Sequence, residues 1–245
     1  MKQDKDLIFL ASCQNDDLQA LCDILTCKSN GDLRETEQLV GTDAYISYYP
    51  DNMQMMAKEL GEELRKFGSN TIKTFIRRGE ADSYETIVRR VCKRMNVNVD
   101  SADDTQTMER ELLMSVCKEV TGKLSYEELS SLADEIGIPR KNINRQMLAS
   151  AIMIALRSST RYFSRAVYYI SSRMANILLG RWIGMMGLST VGRYLGMAAG
   201  PIGWAALAGW TISDIASPAY RVMIPAVIMV ASMRFRQNAL LTQEI

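Results

Sequence analysis

The chain is 245 residues long, 47% hydrophobic and only 7% aromatic, with a formal net charge of +1 and no histidine. That length is enough to bury a real core, in one large domain or two modest ones. The missing histidine excludes His-based catalytic triads, His metal ligands and His proton shuttles together.

The small net charge hides an asymmetry. Residues 1–150 carry 20 Lys and Arg against 26 Asp and Glu, a balance of −6. Residues 151–245 carry nine Arg, no Lys and only Asp214 and Glu244, a balance of +7. Few aromatics, 16 methionines and no β-branched run alternating with period two favour helices over sheets. The expected fold is all-α, a multi-helix bundle with a glycine-rich apolar helical hairpin at the C-terminus. Three regions are expected: a small N-terminal helical module at 1–31, a central acidic helical domain at 53–145 and an Arg/Gly-rich apolar region at 146–245. Cys13, Cys22, Cys27, Cys92 and Cys117 are odd in number and lack C-x-x-C spacing, which reads as free thiols in a reducing cytoplasm. Leu7–Ala11 is too brief an apolar patch for a signal peptide, so a cytoplasmic location is expected.

Asp4 to Thr26 reads as two short helices. Leu7, Leu10 and Ala11 share one face, Leu18, Leu21, Cys22 and Leu25 a second, with Asn15-Asp16-Asp17 as the cap between them. Residues 32–52 read as a linker with one short helix near Leu33–Val40 and a turn at Tyr48-Tyr49-Pro50-Asp51. Met53, Met56, Ala57, Leu60, Leu64 and Phe67 share the face of a helix that Gly68 stops. Asn70 can cap a short segment through Ile72, Phe75 and Ile76. Asp82 with Glu85 fits a capping box for a helix buried through Tyr84, Ile87, Val88, Val91 and Met95. Asn96–Asp104 is polar and reads as a loop, after which Met108, Leu112, Val116 and Val120 mark the next helix. Ser125 with Glu128 is a second capping box, and Gly137 followed by Pro139 is a clear stop.

A longer helical segment begins near Asn142–Asn144 with Met147, Leu148, Ala151, Ile152 and Ala155. It carries Arg157, Arg161, Arg165 and Arg173 at multiples of four, so the arginines share a face. Like charges at that spacing cost about 0.2–0.5 kcal/mol per pair, and something outside the helix is expected to offset them. Acidic partners within residues 1–150 are one candidate. Anionic lipid headgroups are another, because the arginines precede an apolar segment as juxtamembrane anchors do. Nucleic acid is disfavoured by the modest number of cations among Tyr162, Phe163, Tyr168 and Tyr169.

Between Arg181 and Arg234 lie 52 residues whose only charges are Arg193, Asp214 and Arg221. Gly192, Gly196 and Gly200 resume the four-residue spacing of Gly180 and Gly184, drawing a stripe along which a second helix, or a second copy of the chain, can approach closely. Tyr194–Ser213 is uncharged for 20 residues, long enough to cross a bilayer, but Gly200-Pro201 and then Asp214 interrupt it. A buried hairpin, a peripheral membrane element and a true span all remain open at this point; a mean hydropathy of −0.08 argues against a polytopic chain. Asp214 and Arg221, seven apart, read as a structural ion pair or a cap at the Ser217-Pro218 joint. The last helix, Ala219 to about Leu241, is apolar around much of its girth and holds Pro225 in its first two turns.

Catalytic candidates are thin. Glu59, Glu62 and Glu63 read as the solvated face of an amphipathic helix, and Asp103-Asp104 and Asp134-Glu135 as exposed. With no phosphate-binding loop, nucleophile elbow or metal-ligand cluster, no enzyme activity, cofactor or metal is expected.

Three blocks carry a family resemblance. Pro218-Ala219-Tyr220-Arg221-Val222 followed by Ile224-Pro225-Ala226-Val227 is similar to the C-terminal signature of the bacterial YaaW-like family. Leu64-x-x-Phe67-Gly68-x-x-x-Ile72, Arg78-Gly79, Tyr84-x-x-Ile87 and Val91-x-Lys93-Arg94 resemble its central motif, and Asp6-Leu7-x-Phe9-Leu10 with the Leu18–Leu25 helix its N-terminal module. That family is classified beside the ubiquinol–cytochrome c chaperones. The resemblance implies a helical, non-enzymatic bacterial protein and brings no catalytic residue with it. The expected function is therefore a binding, adaptor or assembly-chaperone-like role. A protein client or a membrane surface would meet the C-terminal helices, with the chain peripheral on the inner membrane. A membrane-permeabilising or stress and defence effector built on an oligomerising glycine hairpin is the alternative, and an enzyme of unrecognised type the lesser one.

Overall fold

The computed structural model describes residues 3–27, 39–69, 81–138, 144–158, 161–163, 165–167 and 220–241. The segment at Asn70–Gly79, Arg173, the stripe of Gly192, Gly196 and Gly200, Asp214 and the expected glycine-rich hairpin lie outside the described residues. Every regular element among the described residues is helical, and the fold is all-α. Two compact units partition the chain: Met1–Glu111 with Ser213–Met233, and Leu112–Ile212 with Arg234–Ile245.

The first unit opens on a 3₁₀ helix, Lys5–Ser12. Leu7, Leu10 and Cys13 are buried and Ala11 is exposed. Ala11 drops out of the expected face because a 3₁₀ turn brings i and i+3 into line rather than i+4. In α1 (Asn15–Thr26) the expected Leu18, Leu21, Cys22 and Leu25 are buried. Asn15 does not cap it. Its amide reaches the segment ahead of a later helix, with Nδ2 donating to the Pro50 carbonyl at 2.7 Å and Oδ1 accepting from the Met53 amide at 2.8 Å. The stretch read as linker contains α2 (Asp43–Tyr48), capped by the Thr42 hydroxyl, which accepts from the Tyr45 amide. A 3₁₀ turn, Met53–Met56, leads into α3 (Ala57–Gly68), where Met53, Met56, Ala57, Leu60 and Leu64 are buried as expected.

Two glycines of α3 are contact points. A Cβ on Gly61 would stand 3.4 Å from Leu7 Cδ1, and one on Gly68 would run into the Ile87 side chain of α4 (Tyr84–Arg94). The cap of α4 is Ser83, whose Oγ accepts from the Thr86 amide, and not Asp82. Asp82 is thereby left to make a different set of contacts. The polar loop ends at α5 (Thr105–Lys123), which buries Met108, Leu112, Val116 and Val120.

In the second unit, α6 (Tyr126–Ile136) carries both halves of the expected capping box. Ser125 Oγ accepts from the Glu128 amide at 3.2 Å, and Glu128 Oε2 accepts from the Ser125 amide at 2.8 Å. Gly137 ends the helix at φ +80°, the left-handed conformation that glycine adopts without steric cost. Against α6 packs α7 (Arg145–Ser158), with Leu148, Ile152 and Leu156 buried. The last described helix, α8 (Tyr220–Leu241), gives Tyr220–Met233 to the first unit and Arg234–Leu241 to the second. From Val222 to Arg234 every residue but the half-buried Pro225 is buried, as a helix apolar on all sides requires. Within the second unit Phe163 meets Phe235 edge-on, ring centres 5.3 Å apart. No helix among the described residues is long and apolar enough to cross a membrane.

Candidate functional site

Two clusters of polar chemistry stand out, one in each unit. In the first, a buried seam ties the N-terminal segment to three helices. The carboxylate of Asp4 accepts from the Asp6 amide at 3.0 Å through Oδ1 and from the Tyr84 amide, at the start of α4, at 2.9 Å through Oδ2. Arg65 of α3 approaches the same Oδ2 at 3.5 Å, and its guanidinium donates to the Asp82 and Ala81 carbonyls at 2.8 and 2.9 Å. Asp82 pairs with Arg90 at 2.7 Å, Arg90 also donates to the Gly68 carbonyl, and the Asp82 amide donates to Ser69 Oγ. Asp6 accepts from the Thr105 hydroxyl at the start of α5 at 2.8 Å. Deepest of all, the Tyr84 hydroxyl donates to Glu109 Oε1 at 2.8 Å, with both residues fully buried. Carboxylates at helix starts oppose the positive end of the helix dipole, so the seam is electrostatically favourable.

Residues of the three resemblance blocks meet in this unit. Asp6 comes from the first and Tyr84 from the second, and the Arg94 guanidinium of the second lies over the Tyr220 ring of the third, 5.4 Å from its centre. The depression lined by Asp4, Leu7, Lys58, Gly61, Glu62 and Arg65 encloses about 10 Å³, space for about one water. Glu63 corrects the expected solvated acidic face: it is buried against Lys66, 3.3 Å away, while Glu59 and Glu62 are half-buried.

A smaller buried group joins α1 to α2. Asp23 accepts from the Tyr49 hydroxyl at 3.1 Å, and Tyr49 stacks on Tyr45 with ring centres 4.6 Å apart. Burial pushes the Asp23 carboxyl up to about 6, opposed by the Tyr49 hydrogen bond. Nothing in the sequence pattern signals it, because an aspartate among apolar helix positions reads as surface. All five cysteines are free and buried. Burial pushes Cys92 up to about 11 and Cys117 to about 12, far from the thiolate that nucleophilic or metal-binding chemistry needs. No cluster of three or more potential metal ligands occurs among the described residues.

The second unit holds the arginine face. Asn144 Oδ1 accepts from the Met147 amide and starts α7, and Arg145 donates to the Leu124 and Gly122 carbonyls at 2.6 Å each. Leu148, Ile152 and Leu156, then Phe163, Ala166 and Val167, are buried. On the opposite face Arg157, Arg161 and Arg165 are all exposed. No ion pair or hydrogen bond joins these three side chains to any described residue. Arg165 does stand at the end of α6, where a Cβ on Gly137 would lie 3.5 Å from its guanidinium, and there it complements the negative end of that helix dipole. Arg157 and Arg161 have no such counterpart. The structure thus brings three of the four expected arginines to one surface; Arg173 lies outside the described residues. So do Gly192, Gly196, Gly200 and Asp214, and Arg221 is described only as a residue of α8.

The described residues thus form an all-α protein with a polar seam in one unit and an exposed cationic surface in the other. Comparison with known proteins supplies the family. A UPF0174 protein of Helicobacter pylori strain J99 is 32% identical over 236 residues, spanning 96% of this chain and 92% of the relative. A second UPF0174 protein of the same strain is 27% identical over 208 residues, 83% of this chain and 99% of its own. The UPF0174 protein YaaW of Escherichia coli K12 is 25% identical over 237 residues, 94% of each chain. The chain belongs to the UPF0174 family. Residues 1–34 match a domain of unknown function, DUF3944, which takes in the Asp4 and Asp6 contacts of the seam. No solved structure matches the chain.

Proposed function

We propose that the protein is a non-enzymatic binding or assembly-chaperone-like factor that meets a membrane, or a membrane-protein client, through the helices after residue 145. The observation that carries this reading is the exposure of Arg157, Arg161 and Arg165 without a carboxylate partner among the described residues. The surrounding sequence deepens the imbalance. From Ile136 to Ser213 there is no Asp or Glu, against eight Arg and one Lys. A surface of one sign recruits a partner of the other. The likeness to a family classified beside respiratory-complex chaperones is in keeping with a client at the inner membrane.

The test is fractionation of the full chain from lysed cells. A truncation at residue 150 would remove Tyr220–Met233 from the first unit and is unsuitable. The expected result is a membrane-pelleted fraction that high salt releases. A chain wholly in the supernatant at low salt, with no membrane protein cross-linked to it, would sink the proposal.

A further inference from the structure

We infer that one face of the second unit, made by Met147, Ile154, Arg157 and Arg161, is an interfacial docking surface for an anionic phospholipid bilayer. The inference rests on the reading above and names its partner. Met147 is 55% exposed and Ile154 68% exposed, two large apolar side chains that the fold leaves in solvent. They are seven residues apart, two helical turns, and so lie on one face of α7, opposite the buried Leu148, Ile152 and Leu156. The exposed Ser158, Arg161 and Arg165 continue that spacing, with Arg157 at its edge. The face therefore runs from apolar to cationic along the chain.

The combination selects the partner. An acidic peptide would satisfy the guanidinium groups but has no use for a methionine and an isoleucine projecting beside them. A lipid surface uses both: Met147 and Ile154 enter below the headgroups while arginine stems lie along the apolar boundary and their guanidinium groups stay at the phosphates. Arginine is the cation suited to phosphate, because its planar fork donates two parallel hydrogen bonds. Charge complementarity extends beyond the face, since the carboxylate-free stretch from Ile136 to Ser213 presents nothing in sequence to repel an anionic surface.

The experiment is flotation of the full chain with vesicles of equal parts phosphatidylcholine and phosphatidylglycerol, against phosphatidylcholine alone. The expected result is capture by the anionic vesicles only, weakening as salt is raised. Arg157→Glu with Arg161→Glu should lower partitioning by about tenfold or more, and Met147→Ser with Ile154→Ser by several fold, with the thermal midpoint unchanged. Lys93→Glu with Lys118→Glu, the same charge change at other exposed lysines, should leave binding intact. Equal capture by both vesicles, or equal loss in both double charge reversals, would overturn the inference. If pure lipid fails to capture the chain but native membranes do, and protease treatment of those membranes abolishes it, the occupant is a protein; the inference falls and the broader reading stands. A dimer by light scattering that Arg157→Glu with Arg161→Glu dissociates would make the occupant a second copy and also overturn it. Binding to neither vesicles nor membranes would sink both.

Discussion

Arg65 and Arg90 of the first unit and Arg157 and Arg161 of the second carry the same guanidinium group in contrasting settings. In the seam Arg65 is held by two backbone carbonyls and Asp4, and Arg90 by one backbone carbonyl and Asp82. Arg157 and Arg161 lie four residues apart in sequence, both exposed, and meet no carboxylate among the described residues. Folding explains the first pair, because an ion pair with little solvent exposure is tolerated only when its hydrogen bonds are satisfied. No such contact accounts for the second pair among the described residues, and the lipid surface proposed above is what would supply one.

The contrast can be broken by mutation. The largest effect is expected from Arg65→Ala, which strands the part-buried Asp4 and two carbonyls; a cost of about 3–5 kcal/mol follows from removing one partner of a buried pair, measured as the urea midpoint by circular dichroism. Next comes Asp23. Its folded carboxyl titrates near 6 against an ordinary value of 3.8, so its contribution to stability is fully present below about pH 4 and is lost as pH rises through 6. Two pKa units correspond to about 2–3 kcal/mol. Asp23→Asn should flatten the stability profile across that window, and a profile identical to wild type would refute the assignment. Tyr84→Phe removes the donor to buried Glu109 and should cost about 1–3 kcal/mol. Ser125→Ala removes one half of the α6 capping box, an expected loss of about 1 kcal/mol. Smallest is Arg157→Ala, within about 0.5 kcal/mol of neutral. A loss as large as that of Arg65→Ala would mean that the α7 face is structural after all.

How much of this was legible follows the range of the contacts. The Ser125–Gly137 helix was fully readable because cap, box and stop all lie within a dozen residues of chain. The cap of α4 was misread by one position, since both Asp82 and Ser83 are competent caps and only the pull of Arg90 on Asp82 separates them. The six residues of α2 escaped because they are too few to show a period. The seam was invisible: Asp4 and Tyr84 are 80 residues apart and Asp6 and Thr105 are 99 apart, and nothing in local pattern foretells which carboxylate will meet which helix start. Glu63 misled for the same reason, having the spacing of a solvated face but a buried position. The arginine face was readable from its four-residue spacing. Its lack of partners among the described residues was not, because the 26 carboxylates of residues 1–150 offered acidic partners that only the fold could place or withhold.

The division of α8 between the two units has a consequence for synthesis. The first unit contains Met1–Glu111 and Ser213–Met233, so its core stays open until residues 213–233 have left the ribosome. About 100 residues are translated in between, which at about 5–20 residues per second leaves the early helices waiting for about 5–20 s. During that interval apolar surface destined to be covered by Val222–Met233 is available to holding chaperones, and a nascent chain stalled before Tyr220 should bind them while the released full chain should not.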